Sequence, residues 1–234
     1  MIKAILFDLD GTLLPMDQDY FISEYMKGLA AKMTRFGYEP ESFIKAMWAG
    51  VKAIYKNDGG LVNEDCFWNV VNEVLNRNVR ADELHFNSFY ENEFQNYKSV
   101  CGFDERAATA VRAIKEKGFR VALATNPFFP AIATASRIRW AGLDPSEFEF
   151  YTTFENSYSC KPDPRYYLEV AKKMGLDPDE CLMVGNDVRD DMTAATVGMK
   201  VFLLTDCLIN VKQLDTSAYP QGSFEELMRY IETL

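Results

Sequence analysis

The chain has 234 residues, room for one large domain or two small ones, with 48% apolar residues to build a core and a formal net charge of −10. Such acidity repels phosphate backbones and disfavours nucleic-acid binding as the main role. No uncharged apolar run approaches the roughly 18 residues of a membrane span, so no membrane partner is expected.

The first element is an apolar strand, Ile2–Phe7, running into Asp8-Leu9-Asp10-Gly11-Thr12. In an extended segment a spacing of two puts both carboxylates on the same side of the chain, and Gly11 permits a sharp turn behind them. Paired carboxylates at a strand end bind Mg²⁺, or divide into a nucleophile and an acid. The short stretch before Asp8 leaves too little chain for a signal peptide.

Residues 18–98 read as helical throughout. Four stripes at helical spacing begin at Ile22, Phe43, Phe67 and Phe86 and run through Met33, Tyr55, Leu75 and Tyr97. They predict a small bundle with aromatic stripes in its core and one or two members facing a ligand. The single histidine, His85, falls in a predicted helix at Asp82–Tyr97 and is expected to pack. The Lys56-Asn57-Asp58-Gly59-Gly60 break fits either a loop over a site or an ordinary helix connection.

From about residue 102 strands and helices alternate. Asp104 caps a helix ending near Gly118, Phe119–Ala124 is a buried strand, and Pro130 opens a helix to Trp140. Phe148–Thr152 is a weaker strand, and Asp163-Pro164 starts a helix closed at Gly175. Cys181–Val184 and Lys200–Leu204 are strands flanking a predicted helix at Asp187–Val197. Ser223 and Glu226 have capping-box spacing. The five cysteines (Cys66, Cys101, Cys160, Cys181, Cys207) are scattered without a CxxC pair and read as reduced structural thiols of a cytoplasmic protein. Five strands separated by helices predict an α/β fold. Its core is a doubly wound, parallel five-stranded Rossmann-like sheet, with an all-α cap inserted. The expected division is residues 1–15 and 100–234 for the core and 16–99 for the cap.

Ligands of such sheets bind at the carboxyl ends of the strands. There the sequence delivers Asp8 and Asp10, then Thr125-Asn126, then Lys161 before Pro162-Asp163-Pro164, then Gly185-Asn186-Asp187 with Asp190 and Asp191 beyond. Asp17, Asp19 and Asp190 are read as solvated or capping carboxylates.

This set, in this order, resembles the haloacid dehalogenase-like (HAD) hydrolase superfamily, in the form with a helical cap between the first and second motifs. The resemblance covers roughly residues 1–15 and 100–205. It implies a Mg²⁺-dependent phosphatase of a small phosphorylated metabolite. Asp8 is the nucleophile that forms an aspartyl-phosphate, and Asp10 is the acid and then the base. Lys161, Thr125 and Asn126 hold the phosphoryl oxygens, and Asp191 orients Lys161 or a metal-bound water. The implied metal ligands are Asp8, the Asp10 carbonyl and the fourth-motif residue. That motif departs from the family's Gly-Asp pattern because Asn186 intervenes. Asp187 is preferred as ligand because a carboxylate binds Mg²⁺ better than an amide, with Asn186 the alternative. A phosphomutase on the same machinery, or a non-catalytic phosphate-sensing protein, remains an alternative. Dehalogenase chemistry is disfavoured by the acid at Asp10.

Overall fold

The computed structural model describes residues 1–234. Five parallel strands, β1 (Ala4–Phe7), β2 (Arg120–Leu123), β3 (Cys181–Gly185), β4 (Lys200–Leu204) and β5 (Gln221–Gly222), pair in the order β2-β1-β3-β4-β5. β1 is an interior strand, and all four of its residues are buried, as an uninterrupted apolar run in a parallel sheet requires. Its side chains alternate between two cores. Ile5 and Phe7 belong to a cluster of 48 buried residues on one face, Ala4 and Leu6 to a cluster of 17 on the other. The chain passes from β1 to β2 on one side and then crosses back to β3 on the other, making a switch point between β1 and β3. The register places Phe7 opposite both Leu123 and Val184, so the next residues of three strands emerge together.

Between β1 and β2 lie helices α1 (Gln18–Thr34), α2 (Pro40–Tyr55), α3 (Asn63–Leu75) and α4 (Glu83–Glu91), followed by a 3₁₀ segment, Glu93–Val100. The predicted stripes are mostly buried, but Val74 is exposed at the surface. Helix α5 (Glu105–Glu116), α6 (Ala131–Trp140) and α8 (Phe224–Ile231) pack on the larger-cluster face, and α7 (Pro164–Met174) on the other. The predicted caps form: Asp104 accepts from Arg106 N–H, Asp163 from Arg165 N–H, and Ser223 and Glu226 make a capping box. No helix is long and apolar enough to cross a membrane.

Three elements differ from expectation. The fifth strand is β5, at the far edge. Residues 148–152 run beside β2 and exchange backbone hydrogen bonds with Val121 and Leu123, but form only an isolated bridge at Tyr151. The predicted Asp82–Tyr97 helix stops at Glu91, where the Asn92 side chain bonds back to the Ser88 carbonyl and the chain tightens to 3₁₀ geometry. The Asp187–Val197 helix is a turn followed by a 3₁₀ segment, Met192–Val197. His85 stacks on Phe36 with ring centroids 3.5 Å apart, a packing role.

Candidate active site

The loop after β1 carries Asp8 and Asp10. Asp8 N–H continues the sheet ladder to the Val184 carbonyl (2.9 Å), which fixes its side chain at the switch point. Gly11 adopts φ +83°, and the Asn186 side chain lies where a Cβ would stand, so this turn admits only glycine. Thr12 hydroxyl bridges Asp8 Oδ2 (3.1 Å) and Asn186 Oδ1 (3.0 Å).

Lys161 arrives from the loop before α7 and is 1% exposed. Its Nζ lies 2.8 Å from Asp8 Oδ1 and 2.6 Å from Asp191 Oδ1. Burial works against its charge, yet Asp191 and Asp8 outweigh it and hold the ammonium pKa well above 10.5. Asp191 lies against Gly185, whose missing side chain makes the approach possible. Its other oxygen accepts from Asp187 N–H (2.9 Å).

The Thr125 carbonyl accepts from Thr152 Oγ1 (2.6 Å) and Tyr166 hydroxyl (2.7 Å), which anchors the end of β2. Asn126 accepts from Lys161 N–H (3.1 Å) and donates to Asp190 Oδ2 (3.0 Å). Its amide therefore ties the lysine loop to the acidic turn. Asp190 is neither solvated nor a cap. It lines the site, and burial, then Asp187, push its carboxyl up to about 6. Asp187 Oδ1 accepts from its own loop, Arg189 N–H and Asp190 N–H, both at 2.8 Å. Sequence reading preferred Asp187 as the metal ligand with Asn186 as the alternative; in the structure it is Asn186 Oδ1 that shares the Thr12 hydroxyl with Asp8.

Sequence reading missed Arg137. This guanidinium has no exposure, pairs with Asp10 Oδ2, and lies 4.1 Å over the Phe129 ring. Asp10 Oδ1 is buried with no hydrogen-bond partner. Burial raises the Asp10 carboxyl above 3.8, Arg137 opposes it, and Asp8 adds to it. The signal for Arg137 was present: Ala133, Arg137 and Trp140 share the inward stripe of α6. Gln18, whose amide donates to the Asp10 carbonyl (2.7 Å), was also missed.

Asp8, Asp10, Thr125, Asn126, Lys161, Asn186, Asp187 and Asp191 all line one cavity of about 580 Å³. Its upper wall comes from the helices, where Trp48 and Tyr55 leave their stripes to face it. The Lys56–Gly60 break does not line it. Arg165 instead binds the Asn57 carbonyl (3.0 Å), and Asn57 Nδ2 donates to Asn63 Oδ1 (2.8 Å), so the break serves as an anchored connection. None of the five cysteines is paired, and burial pushes the Cys101 and Cys160 thiols up to about 12, away from thiolate chemistry.

No cluster of three His, Cys, Asp or Glu side chains stands ready to hold a metal. The donors that the Thr12 hydroxyl draws together are nonetheless both oxygen, the Asp8 carboxylate and the Asn186 amide oxygen, and the Asp10 carbonyl follows two residues after Asp8. Mg²⁺ characteristically takes one or two carboxylates and keeps waters, so this donor set fits it, whereas zinc would want nitrogen or sulfur.

An open parallel sheet with an aspartate–lysine centre at its switch point defines a doubly wound α/β protein with a carboxylate-based site. Residues 2–198 match the family model of haloacid dehalogenase-like hydrolases, and the chain belongs to that family of enzymes. It is 24% identical over 209 residues to the phosphoglycolate phosphatase of Nitrosospira multiformis, covering 86% of this chain and 82% of that one. It is 23% identical over 249 residues to enolase-phosphatase E1 of Aquifex aeolicus, covering 99% of both. The crystal structure of a HAD phosphatase from Thermococcus onnurineus shares the fold, with a TM-score of 0.58, 19% identity and 98% of each chain covered.

Proposed function

We propose that this chain is a Mg²⁺-dependent phosphatase that hydrolyses a small phosphorylated metabolite through an aspartyl-phosphate on Asp8. The observation that carries the reading is Lys161, buried between Asp8 and Asp191 at 2.8 and 2.6 Å. A buried ammonium beside one carboxylate oxygen offsets the charge of a phosphate dianion approaching that carboxylate. The phosphatase names of two relatives support the same reaction class. Residues 1–15 and 100–234 act as the catalytic core and 16–99 as a cap over it.

In this mechanism Asp8 attacks phosphorus and Asp10 protonates the departing alkoxide. Asp10 then takes a proton from the water that attacks the phosphoenzyme and frees Asp8. Burial and Arg137 act on the Asp10 carboxyl in opposite directions, which supports a group that gives up and regains a proton. Thr125 contributes its hydroxyl to the phosphoryl oxygens. Asn126 and Asp191 position Lys161, as their bonds to its backbone and its ammonium support. Asp8, the Asp10 carbonyl and a fourth-motif side chain would hold Mg²⁺. When bound, the metal supplies positive charge between Asp8 and the phosphate. For that third position the geometry favours Asn186, because its oxygen shares Thr12 with Asp8.

The test is trapping with labelled substrate. The wild type and Asp10→Asn should yield an acid-stable, hydroxylamine-sensitive phosphoenzyme, and Asp8→Asn none. Asp10→Asn should also slow turnover by roughly a hundredfold or more. Label retained by Asp8→Asn would show that the nucleophile lies elsewhere.

A further inference from the structure

Building on the phosphatase reading above, we infer that the cavity selects a phosphomonoester whose alcohol part is apolar and carries no second acidic group. Two independent features point there. The first is charge. Nine carboxylates and two lysines line the cavity. Both lysines are already engaged: Lys161 by Asp8 and Asp191, Lys27 by Glu24 at 2.7 Å. A substrate with a carboxylate or second phosphate on its leaving group meets like charge and, among the lining side chains, no unpaired cation. Phosphoglycolate is such a molecule.

The second feature is the wall. A volume of about 580 Å³ far exceeds a phosphate ion and sits within the range of small-molecule pockets. Trp48, Tyr55, Phe67, Phe128 and Phe154 line it. Tyr55, from the end of α2, and Phe128, from the loop after β2, meet across it with ring centroids 4.9 Å apart. Tyr55 lines the same cavity as Asp187 and Asp190, so this ring shares its space with the acidic cluster. Trp48 and Tyr55 remain 43% and 52% exposed, unlike the rest of their stripes. Large aromatic faces left open in the cavity that holds Asp8 are the surface a hydrophobic leaving group covers.

The experiment is a substrate series with Mg²⁺: n-alkyl phosphates from ethyl to hexyl, phenyl phosphate, glycerol 3-phosphate and phosphoglycolate. We expect kcat/KM to rise by about threefold or more per methylene. Phenyl phosphate should exceed phosphoglycolate by at least about tenfold. Trp48→Ala, a change at a half-exposed position, should flatten the chain-length slope. A flat series in the wild type, or phosphoglycolate as the better substrate, overturns the inference while leaving the phosphatase intact. Calorimetry with hexylphosphonate and phosphonoacetate tests the cavity without turnover. Hexylphosphonate should bind more tightly, with a negative heat-capacity change. If it does so while no ester is hydrolysed, the phosphatase reading fails and the cavity assignment stands. If phosphonoacetate binds as tightly, the cavity assignment fails.

Discussion

Arg137 shows how a single residue joins packing to chemistry. Its guanidinium is fully buried, and its partner Asp10 keeps 19% of its side chain exposed. Removing one member of a buried pair strands the other charge, so Arg137→Ala should cost about 3 kcal/mol in urea unfolding. Adding Asp10→Asn should recover part of it, with a coupling energy of about 1–3 kcal/mol in the double-mutant cycle. Additive losses would mean that the pair is not coupled. Asn186 makes a second residue-scale case. Its oxygen and Asp8 Oδ2 share one hydroxyl, whereas Asp187 faces its own loop amides. Asn186→Ala should therefore raise the Mg²⁺ concentration for half-maximal activity more than Asp187→Ala does, and Asn186→Asp should lower it. The reverse order in metal titrations would return the ligand role to Asp187. The structure brings Asp8, Lys161 and Asp191 together, and the sequence marks them because strand ends announce themselves by apolar runs that stop at polar residues. It placed a helix start at Asp187 because a turn closed by side-chain-to-backbone bonds looks like one.

Among the elements, the helix termini were the most legible. Each cap residue acts on amides two or three positions away, so the signal is local. α5 offers a direct test. Asp104 accepts from Arg106 N–H at 2.9 Å, and the Arg106 side chain, followed by that backbone bond, lowers the Asp104 carboxyl below 3.8 against burial. A depressed carboxyl contributes stability above its unfolded pKa and loses it as pH falls through the folded value. Asp104→Ala should thus cost about 1 kcal/mol at pH 7, with the difference from wild type shrinking below pH 4. A constant difference across that range would remove the ionised cap from the account. β5 was illegible for the opposite reason: a two-residue strand has no periodicity, and its pairing depends on β4, which it meets only in the fold. Residues 148–152 alternate as a strand should, and they do run along β2, but the edge position leaves them with few ladder partners.

Over the whole molecule the helical insertion and the sheet share one apolar cluster. Phe21 and Phe94 of the insertion meet Trp140 of α6 at ring-centroid distances of 6.4 and 5.0 Å. Polar ties cross at the same boundary, from Asn63 to the Ser159 carbonyl (2.9 Å) and from Glu64 N–H to the Phe154 carbonyl (2.8 Å). Both halves should therefore unfold together. Tryptophan fluorescence, reporting Trp48 and Trp68 in the insertion and Trp140 outside it, should trace the same urea transition as far-UV circular dichroism. Two separated transitions would show that the insertion holds a core of its own. The strand order also has a consequence in time. β1 lies between β2 and β3, yet β3 ends at Gly185. At about 5–20 residues per second, a ribosome needs roughly ten to thirty-five seconds to go from one end of that pairing to the other. Throughout that interval Ile5, Leu6 and Phe7 have no complete sheet to enter. The nascent chain must shelter this apolar strand until β3 has been made, and the Asp8–Lys161–Asp191 arrangement closes only after the turn at Asp191.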